Sequence, residues 1–430
     1  MLLMTITFFV LMLAGAPVAF FLGMAAVPYL LLQGDLELTI IPQQQFVGLD
    51  SFLMVALPFF LLASNLMNEG GITERIVDMC NKVIGHIRGG LAHVAIVACM
   101  IISGLSGMAM SDAAAIGQLM IPSMKKEGYE EAFACAVVSS AAVNGPIIPP
   151  SFLFVLYCLV AGGVSLGALF LAGLIPGVLI CIANMVVAGY YAHRFKYPIK
   201  KRASMREVIV TFFRVLPAAM VPIIMIGGMV FGVFTPTEAA CVAVLVAYLV
   251  AFVFLREFTF SKAGLRRIFK MIVDTGVTVG SLQYILSGAM IFAWVLTSER
   301  IPHQVAEMIT NFSNNPTVIL LIINAFLLVV GCFMDPTPSM LILAPIFLPL
   351  ILKIGMDPIQ FGVVITLNLT IGLLTPPVGG ILFVVSTITK VPIERIVKRL
   401  GWFLIADCAC LFAVTYIPWL TTWLPHLLMG

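Results

Sequence analysis

Two apolar runs of the chain, 131–165 and 359–389, contain the double prolines Pro149-Pro150 and Pro376-Pro377. Proline has no backbone N–H and clashes with the carbonyl four residues earlier, so each double proline should unwind a helix for about one turn. Lipid cannot satisfy the carbonyls that this frees, whereas a cation such as Na⁺ can bind them. The alternative is that these prolines and their neighbouring glycines are only packing features.

Two other apolar runs, 91–124 and 316–352, are interrupted near the middle by small residues and a carboxylate. We predict a re-entrant helical hairpin in each, with its tip inside the membrane; a single kinked span is the alternative. A hard cation takes about five or six oxygen ligands, which one tip and one unwound stretch could supply together, once in each half of the chain. The predicted sodium ligands are Ser103, Ser106, Gly145, Ile148, Pro149, Gly331, Asp335, Gly372, Thr375 and Pro377.

The same regions contain the candidates for substrate binding. A polar substrate could bind at the N-terminus of a half-helix that follows a break, where the helix dipole is positive. An ionisable residue inside a membrane is a candidate for a functional site, although Asp112 could equally cap the second helix of its hairpin. The predicted substrate-binding residues are Met108, Asp112, Ser151 and Thr337.

The composition indicates an all-α polytopic membrane protein. Of the 430 residues, 61% are hydrophobic and 10% are charged, whereas a soluble domain has about 25% charged residues. Apolar runs of about 20 residues are typical of membrane-spanning helices. The net charge of +3 gives no basic surface for nucleic acid. The chain is apolar from Leu2 without a charged leader, which predicts a retained span rather than a signal peptide.

Several classes of enzyme lack their motifs in this sequence. It contains no GxxxxGK[ST] motif for ATP hydrolysis, no HExxH motif, and no CxxC pair among its nine cysteines. We therefore expect no enzyme activity and no cofactor, with Na⁺ as the only metal ion.

Glycines and prolines recur in the two halves at a fixed offset of 227 residues. Six matches in one register span 47 residues, from Gly104 and Gly331 to Pro150 and Pro377. Five predicted crossings separate the starts of the two copies, so the second copy should be inverted relative to the first. Inverted repeats with broken helices are typical of secondary transporters, whose substrate site lies near the membrane midplane.

The repeat divides the chain into a first inverted repeat, 1–207, a linker span, 208–233, and a second inverted repeat, 234–430. The first repeat is predicted to contain scaffold spans 2–68, an amphipathic arm 72–88, hairpin 91–124, broken span 131–165 and span 166–192. The second is predicted to contain spans 237–297, arm 300–312, hairpin 316–352, broken span 359–389 and span 400–425. Gly15-Ala16-Pro17 could divide the first run, 2–32, into two pieces.

Lysines and arginines set the predicted orientation, because they are enriched in cytoplasmic loops. Basic clusters follow runs 166–192 and 237–255, the second of them including Arg256 and Lys262. Loops 33–51, 298–315 and 353–358 contain few basic residues and are predicted to face outward. This arrangement is consistent only if both hairpins return to the side from which they start.

These motifs make the sequence resemble a known family over essentially its full length: the large membrane subunit, M or DctM-like, of the tripartite ATP-independent periplasmic (TRAP) transporters. The matching stretches are Leu57-Pro58-Phe59-Phe60, Gly104-Leu105-Ser106-Gly107, Ser111-Asp112-Ala113-Ala114-Ala115-Ile116-Gly117, Ile121-Pro122, Gly128-Tyr129, Gly145-Pro146-Ile147-Ile148-Pro149-Pro150-Ser151, Phe234-Thr235-Pro236-Thr237-Glu238-Ala239-Ala240, Asp335-Pro336-Thr337 and Thr375-Pro376-Pro377-Val378-Gly379. Family members often have serine or alanine where this chain has Met108 and Met110, which leaves the substrate open.

The resemblance implies sodium-driven uptake of an organic acid, such as sialic acid or a C4-dicarboxylate, across the bacterial inner membrane. It implies an elevator movement of the hairpins and broken spans against a fixed scaffold. It also implies two protein partners, a small four-helix membrane subunit (Q) and a periplasmic substrate-binding protein (P). Nothing in this sequence resembles a fused Q subunit, so we expect a separate chain. The alternative is a self-sufficient sodium–anion symporter without a binding protein.

Overall fold

The computed structural model describes residues 2–33, 39–254 and 262–430, which form helices and contain no strand. The first ten helices are α1 Leu2–Leu13, α2 Val18–Gln33, α3 Ile40–Leu49, α4 Phe52–Glu69, α5 Ile72–Ile84, α6 Gly90–Ser106, α7 Ala109–Lys126, α8 Glu131–Ala141, α9 Phe152–Ala161 and α10 Leu166–Arg194. The remaining ten are α11 Met205–Val230, α12 Pro236–Leu249, α13 Lys262–Ser298, α14 Ile301–Phe312, α15 Pro316–Phe333, α16 Pro336–Lys353, α17 Pro358–Gly372, α18 Gly380–Thr389, α19 Ile393–Tyr416 and α20 Trp419–Met429.

The lengths and composition of these helices make the chain a multi-pass membrane protein. Among the described residues, six helices are long and apolar enough to cross a membrane: α4, α10, α11, α13, α15 and α16. The number becomes seven if α19 and α20, which meet at a 55° bend, form one span. Arg256 and residues 34–38, on which part of the predicted orientation depends, lie outside the described residues.

Each predicted hairpin consists of two helices joined by a two-residue turn. Helix α6 ends at Ser106 and is followed by Gly107, whose φ of +67° is readily adopted only without a Cβ; Met108 is extended before α7. Helices α15 and α16 are joined by Met334 and Asp335, both extended. We call residues 103–107 the first tip and residues 331–337 the second tip.

Each predicted broken span is interrupted between two shorter helices. Helix α8 continues as a 3₁₀ turn, Ala142–Asn144, and residues 145–151 then form the first unwound stretch before α9. Residues 373–379 form the second unwound stretch, between α17 and α18. Seven residues correspond to about two helical turns, so the predicted single turn was too short. Additional prolines and glycines in these stretches extend the break, because each disfavours or removes a helical hydrogen bond.

The helix bounds in the two halves are related by the offset that relates the glycines and prolines. Adding 227 to the bounds of α7, 109 and 126, gives 336 and 353, which are the bounds of α16. Adding 227 to 166, where α10 begins, gives 393, where α19 begins. The order of arm, hairpin, broken span and long helix is therefore the same in both halves.

One predicted span is interrupted, and the division of the first run that the sequence analysis left open is present. The predicted span 400–425 is not one helix, since α19 begins at Ile393 and ends at Tyr416. Ile417 leaves the helical conformation, with φ −117° and ψ 87°, because the residue before a proline disfavours it, and α20 begins directly after Pro418. The run 2–32 is divided at Gly15, which has a φ of +76°, into α1 and α2.

The first half-helices of the two broken spans, α8 and α17, are buried along almost their whole length. Every residue of α17 from Gln360 to Gly372 is buried, as is every residue of α8 from Ala132 to Ala141. Helix α11, by contrast, exposes large apolar side chains such as Phe213 and Ile223. In a membrane protein such a face is suited to contact with lipid or with a neighbouring helix.

Candidate functional site

Both tips and both unwound stretches border one cavity of about 290 Å³. The cavity wall includes Met108 and Ala109 at the start of α7, Phe152 at the start of α9, and Pro336 and Thr337 at the start of α16. Three helices therefore begin at this cavity. A helix N-terminus carries a partial positive charge and free N–H groups, which favours a bound anion at the uncapped start of α7. Ser151 already caps α9, and the Asp335 carboxylate, which also lies in the cavity wall, caps α16.

Asp112 lies behind the first tip and joins its two serines. Its side chain is fully buried; Ser103 Oγ lies 2.8 Å from Oδ2, and the Ser106 hydroxyl donates to Oδ1. The backbone N–H of Met108 donates to Ser106 Oγ at 3.3 Å. The predicted capping role of Asp112 is wrong, because Met108 is the N-cap of α7 and no side chain caps it. Asp112 lies a full turn further along, whereas a capping oxygen belongs to the N-cap residue itself.

The first tip is in backbone contact with the first unwound stretch. A Cβ built on Gly107 would lie 2.3 Å from the carbonyl oxygen of Pro150, and a Cβ on Gly104 would lie 3.5 Å from that of Pro149. A Cβ on Gly145 would lie 2.6 Å from the backbone nitrogen of Ala109. Glycine is required at 107 and 145, and the contact brings the backbone of the first tip close to the carbonyls of Pro149 and Pro150.

One buried amide just before this stretch lacks hydrogen-bond partners. Asn144 is the last residue of the 3₁₀ turn and is fully buried. Neither Oδ1 nor Nδ2 has a partner among the described residues. Because buried polar groups are normally paired, the first unwound stretch is suited to a polar or ionic ligand.

The second tip is arranged differently from the first. Gly331 and Gly372 pack backbone to backbone, since a Cβ on Gly372 would lie 2.5 Å from Gly331 Cα. Asp335 is exposed and caps α16, with Oδ1 accepting from the Thr337 N–H at 2.9 Å. Thr375 Oγ1 lies 3.3 Å from the Ile371 carbonyl oxygen. Pro377, another predicted ligand, is exposed, whereas Pro149 in the first stretch is buried.

The structure separates the four predicted substrate residues into two pairs. Met108 and Thr337 line the cavity. Asp112 is enclosed by the serines of the first tip, and Ser151 caps α9. Ser151 Oγ accepts from the Phe154 N–H at 3.2 Å and donates to the carbonyl of Pro146. The side chains of Asp112 and Ser151 therefore stabilise the elements that surround the cavity.

The sequence analysis missed a second buried carboxylate. Asp407 in α19 is fully buried; Ser140 Oγ donates to it at 3.0 Å and Asn184 Nδ2 at 3.1 Å. A carboxylate within an apolar run was a signal that the sequence offered. Its partners precede it by 267 and 223 residues, so no local pattern could indicate the cluster.

Comparisons with known proteins agree with this architecture. A family model described as "Tripartite ATP-independent periplasmic transporter, DctM component" matches residues 5–420. The chain is 37% identical over 420 residues to the sialic acid TRAP transporter large permease protein SiaM of Vibrio cholerae, covering 98% of this chain and 97% of SiaM. It is 39% identical over 378 residues to the C4-dicarboxylate TRAP transporter large permease protein DctM of Pseudomonas aeruginosa, covering 88% and 87%.

A solved structure supports the fold. The YdaH transporter of Alcanivorax borkumensis superposes with a TM-score of 0.65 at 11% identity, over 90% of each chain. At this identity the likeness concerns the arrangement of helices alone.

Proposed function

Because the chain belongs to the DctM component family of the tripartite ATP-independent periplasmic transporters, we propose that it is the large membrane subunit of a sodium-coupled importer of organic acids. We place it in the inner membrane of a bacterium, where a periplasmic partner can reach it. The substrate is an anionic organic acid of the sialic acid or C4-dicarboxylate type, since relatives named for each are similarly close to this chain.

The observation that carries this proposal is the cavity where α7, α9 and α16 begin. The partial positive charge at the uncapped N-terminus of α7 can compensate the carboxylate of a substrate, whereas the Asp335 carboxylate already lies at the N-terminus of α16. Met108 and Met110 make part of the wall apolar and adaptable, which suits the carbon skeleton of an organic acid. The hydroxyl of Thr337, at the same wall, can donate a hydrogen bond to the substrate.

Sodium ions bind, in this proposal, where each tip meets an unwound stretch. Ser103, Ser106 and the carbonyls of Gly145, Ile148 and Pro149 supply oxygens at the first site. Gly331, Asp335, Gly372, Thr375 and Pro377 supply them at the second. The close backbone contacts of Gly107 with Pro150 and of Gly331 with Gly372 support this pairing. The buried carboxylate of Asp112 adds negative charge beside the first site, which favours a cation there.

An elevator movement of inverted repeats is the proposed route across the membrane. The shared offset of 227 residues between helix bounds supports the repeat. Helices α2, α4, α12 and α13 pack mainly against one another and would form the scaffold. The moving block would consist of the hairpin helices α6, α7, α15 and α16, the broken-span helices α8, α9, α17 and α18, and the long helices α10 and α19. Within it, α9 packs against α16, α17 and α10.

Two separate protein partners complete the proposed transporter. A small four-helix membrane subunit would cover part of the exposed apolar surface, and a periplasmic binding protein would deliver the substrate. The family to which the chain belongs supports both partners. The large apolar side chains that α11 and α13 expose are suitable for contact with a membrane subunit.

Uptake into liposomes tests the proposal. The chain is reconstituted with its small subunit and binding protein, and uptake of labelled sialic acid and C4-dicarboxylates is measured under an inward Na⁺ gradient. Uptake should require Na⁺, with more than one Na⁺ per substrate, and should require the binding protein. Equal uptake in K⁺ buffer driven by a pH gradient would contradict sodium coupling. Strong uptake of free substrate by this chain alone would favour the self-sufficient symporter.

A further inference from the structure

A buried polar cluster outside the two tips lies where α8, α10 and α19 meet. It consists of Ser140 in the last turn of α8, Asn184 in α10 and Asp407 in α19, all fully buried. Both hydrogen bonds to the Asp407 carboxylate come from neutral side chains, at 3.0 and 3.1 Å. None of the three residues belongs to the proposed sodium or substrate sites.

The charge of this cluster is not balanced by any side chain. Among the ion pairs and hydrogen bonds of the described residues, Asp407 has no cationic partner. It also lies beside the C-terminal end of α8, where the helix dipole is negative and destabilises a carboxylate. A buried ion without a counter-ion is costly in a protein interior and more so inside a membrane. The position therefore favours neutralisation of Asp407 by a bound cation or by a proton.

An unpaired oxygen supports the same conclusion. Asn184 Oδ1 is buried and has no hydrogen-bond partner among the described residues, although Nδ2 of the same amide donates to Asp407. Rotating the amide by half a turn would place Oδ1 opposite the carboxylate. Two oxygens facing each other in this way repel one another unless a cation lies between them.

We propose that Asp407, Ser140 and Asn184 form a further Na⁺ site, in addition to those at the tips; this inference rests on the proposed sodium coupling. The carboxylate, the hydroxyl and the amide oxygen are hard ligands suited to such an ion. For metal–oxygen distances of about 2.3–2.6 Å, adjacent ligand oxygens in an octahedral shell lie roughly 3.3–3.7 Å apart. The observed spacings of 3.0 and 3.1 Å need to widen only slightly to admit the ion.

Equilibrium binding of ²²Na⁺ to the purified chain tests the site. Asp407→Asn keeps the shape of the side chain and removes its charge, and it should bind one Na⁺ fewer per chain than the wild type. Glu394→Gln removes one negative charge from an exposed position of the same helix and should bind the wild-type number. Ser140→Ala and Asn184→Ala retain the carboxylate, and each should raise the Na⁺ concentration for half-occupancy of this site at least tenfold.

Each outcome supports or overturns the inference. If the wild type binds no Na⁺, the proposed sodium coupling fails and this site fails with it. If Ser103→Ala and Ser106→Ala weaken Na⁺ binding but Asp407→Asn does not, only the further site is overturned. If Asp407→Asn does not fold, the alanine variants of Ser140 and Asn184 decide: unchanged Na⁺ binding by both overturns the further site. If Asp407→Asn binds as many Na⁺ ions as the wild type but takes up one proton fewer, Asp407 binds a proton and not Na⁺.

Discussion

At the scale of single residues, two carboxylates near corresponding tips have opposite surroundings. Asp112 is fully buried and receives two serine hydroxyls, whereas Asp335 is exposed and caps the start of α16. A buried carboxylate that accepts hydrogen bonds from neutral groups alone remains poorly compensated. The first tip is therefore better prepared than the second to hold a cation before substrate arrives.

The two serines of the first tip give the first prediction. Ser103→Ala or Ser106→Ala should raise the Na⁺ concentration for half-maximal uptake roughly five- to hundred-fold, since losing one oxygen ligand costs on the order of 1–3 kcal/mol. A Na⁺ titration of uptake, run beside a melting curve, measures the effect. Ser123→Ala is the control, because its hydroxyl bonds only to the Leu119 carbonyl at the exposed end of the same hairpin. Variants that melt early with unchanged Na⁺ dependence would assign the serines to structure.

The glycine at the first tip gives a second prediction. Gly107→Ala places a Cβ 2.3 Å from the Pro150 carbonyl oxygen and forces alanine to a φ of +67°. It should abolish uptake and destabilise the protein by more than the ~1–3 kcal/mol expected from the backbone conformation alone. Gly163→Ala is the matched control, with a φ of +72° and open space around the added atom. Equal losses in both variants would mean that the contact between the tip and the unwound stretch is unimportant.

At the scale of elements, the start of α12 is fixed by a reciprocal capping box. The Thr235 N–H donates to Glu238 Oε2 at 2.8 Å, and the Glu238 N–H donates to Thr235 Oγ1 at 3.4 Å. Each of these bonds satisfies a backbone N–H that the helix itself leaves free. Glu238 therefore has a structural role that the family motif alone does not reveal.

This capping box gives a third prediction. Thr235→Ala should destabilise the protein by about 1 kcal/mol without changing the Na⁺ dependence of uptake. Glu238→Gln should remain close to the wild type, because glutamine can form the same box. Thermal unfolding and Na⁺-dependent uptake of both variants test this. A strong loss of uptake in Glu238→Gln with normal stability would instead indicate a role of the charge in gating or subunit contact.

Much of this element order could be predicted from the sequence, because glycine and proline break helices through local backbone chemistry. Helix boundaries lie close to those predicted for the arms, the two tips and the two breaks, while the re-entrant course of the hairpins stays a prediction. Features that depend on distant contacts could not be predicted. Asp407 meets Ser140 across 267 residues, and the burial of the first unwound stretch results from packing against other elements. The break at Ile417 has a local cause, the following Pro418. The long apolar run around it nevertheless led to the prediction of one continuous span.

At the scale of the whole molecule, the two halves share an order of elements but differ in exposure. The first unwound stretch is largely buried, whereas residues 376–378 of the second are exposed. If the second half is an inverted copy of the first, opening one stretch while enclosing the other gives access to the cavity from one side at a time. This is the asymmetry that alternating access requires.

Cross-linking distinguishes movement between scaffold and block from movement within the block. The ring centroids of Phe60 in α4 and Phe170 in α10 are 6.3 Å apart, and those of Phe154 in α9 and Phe170 are 6.4 Å apart. The first pair joins the proposed scaffold to the proposed block, and the second pair lies within the block.

In a background without the nine native cysteines, each pair is replaced by cysteines and linked by a short bifunctional thiol reagent that a reductant cleaves. Linking 60 to 170 should abolish sodium-driven uptake until the link is cleaved, because an elevator cannot move when its block is tied to the scaffold. Linking 154 to 170 should leave most uptake intact, since both positions travel together. Full uptake with 60 and 170 linked would contradict the elevator, and equal inhibition by both links would indicate that the half-helices move within the block.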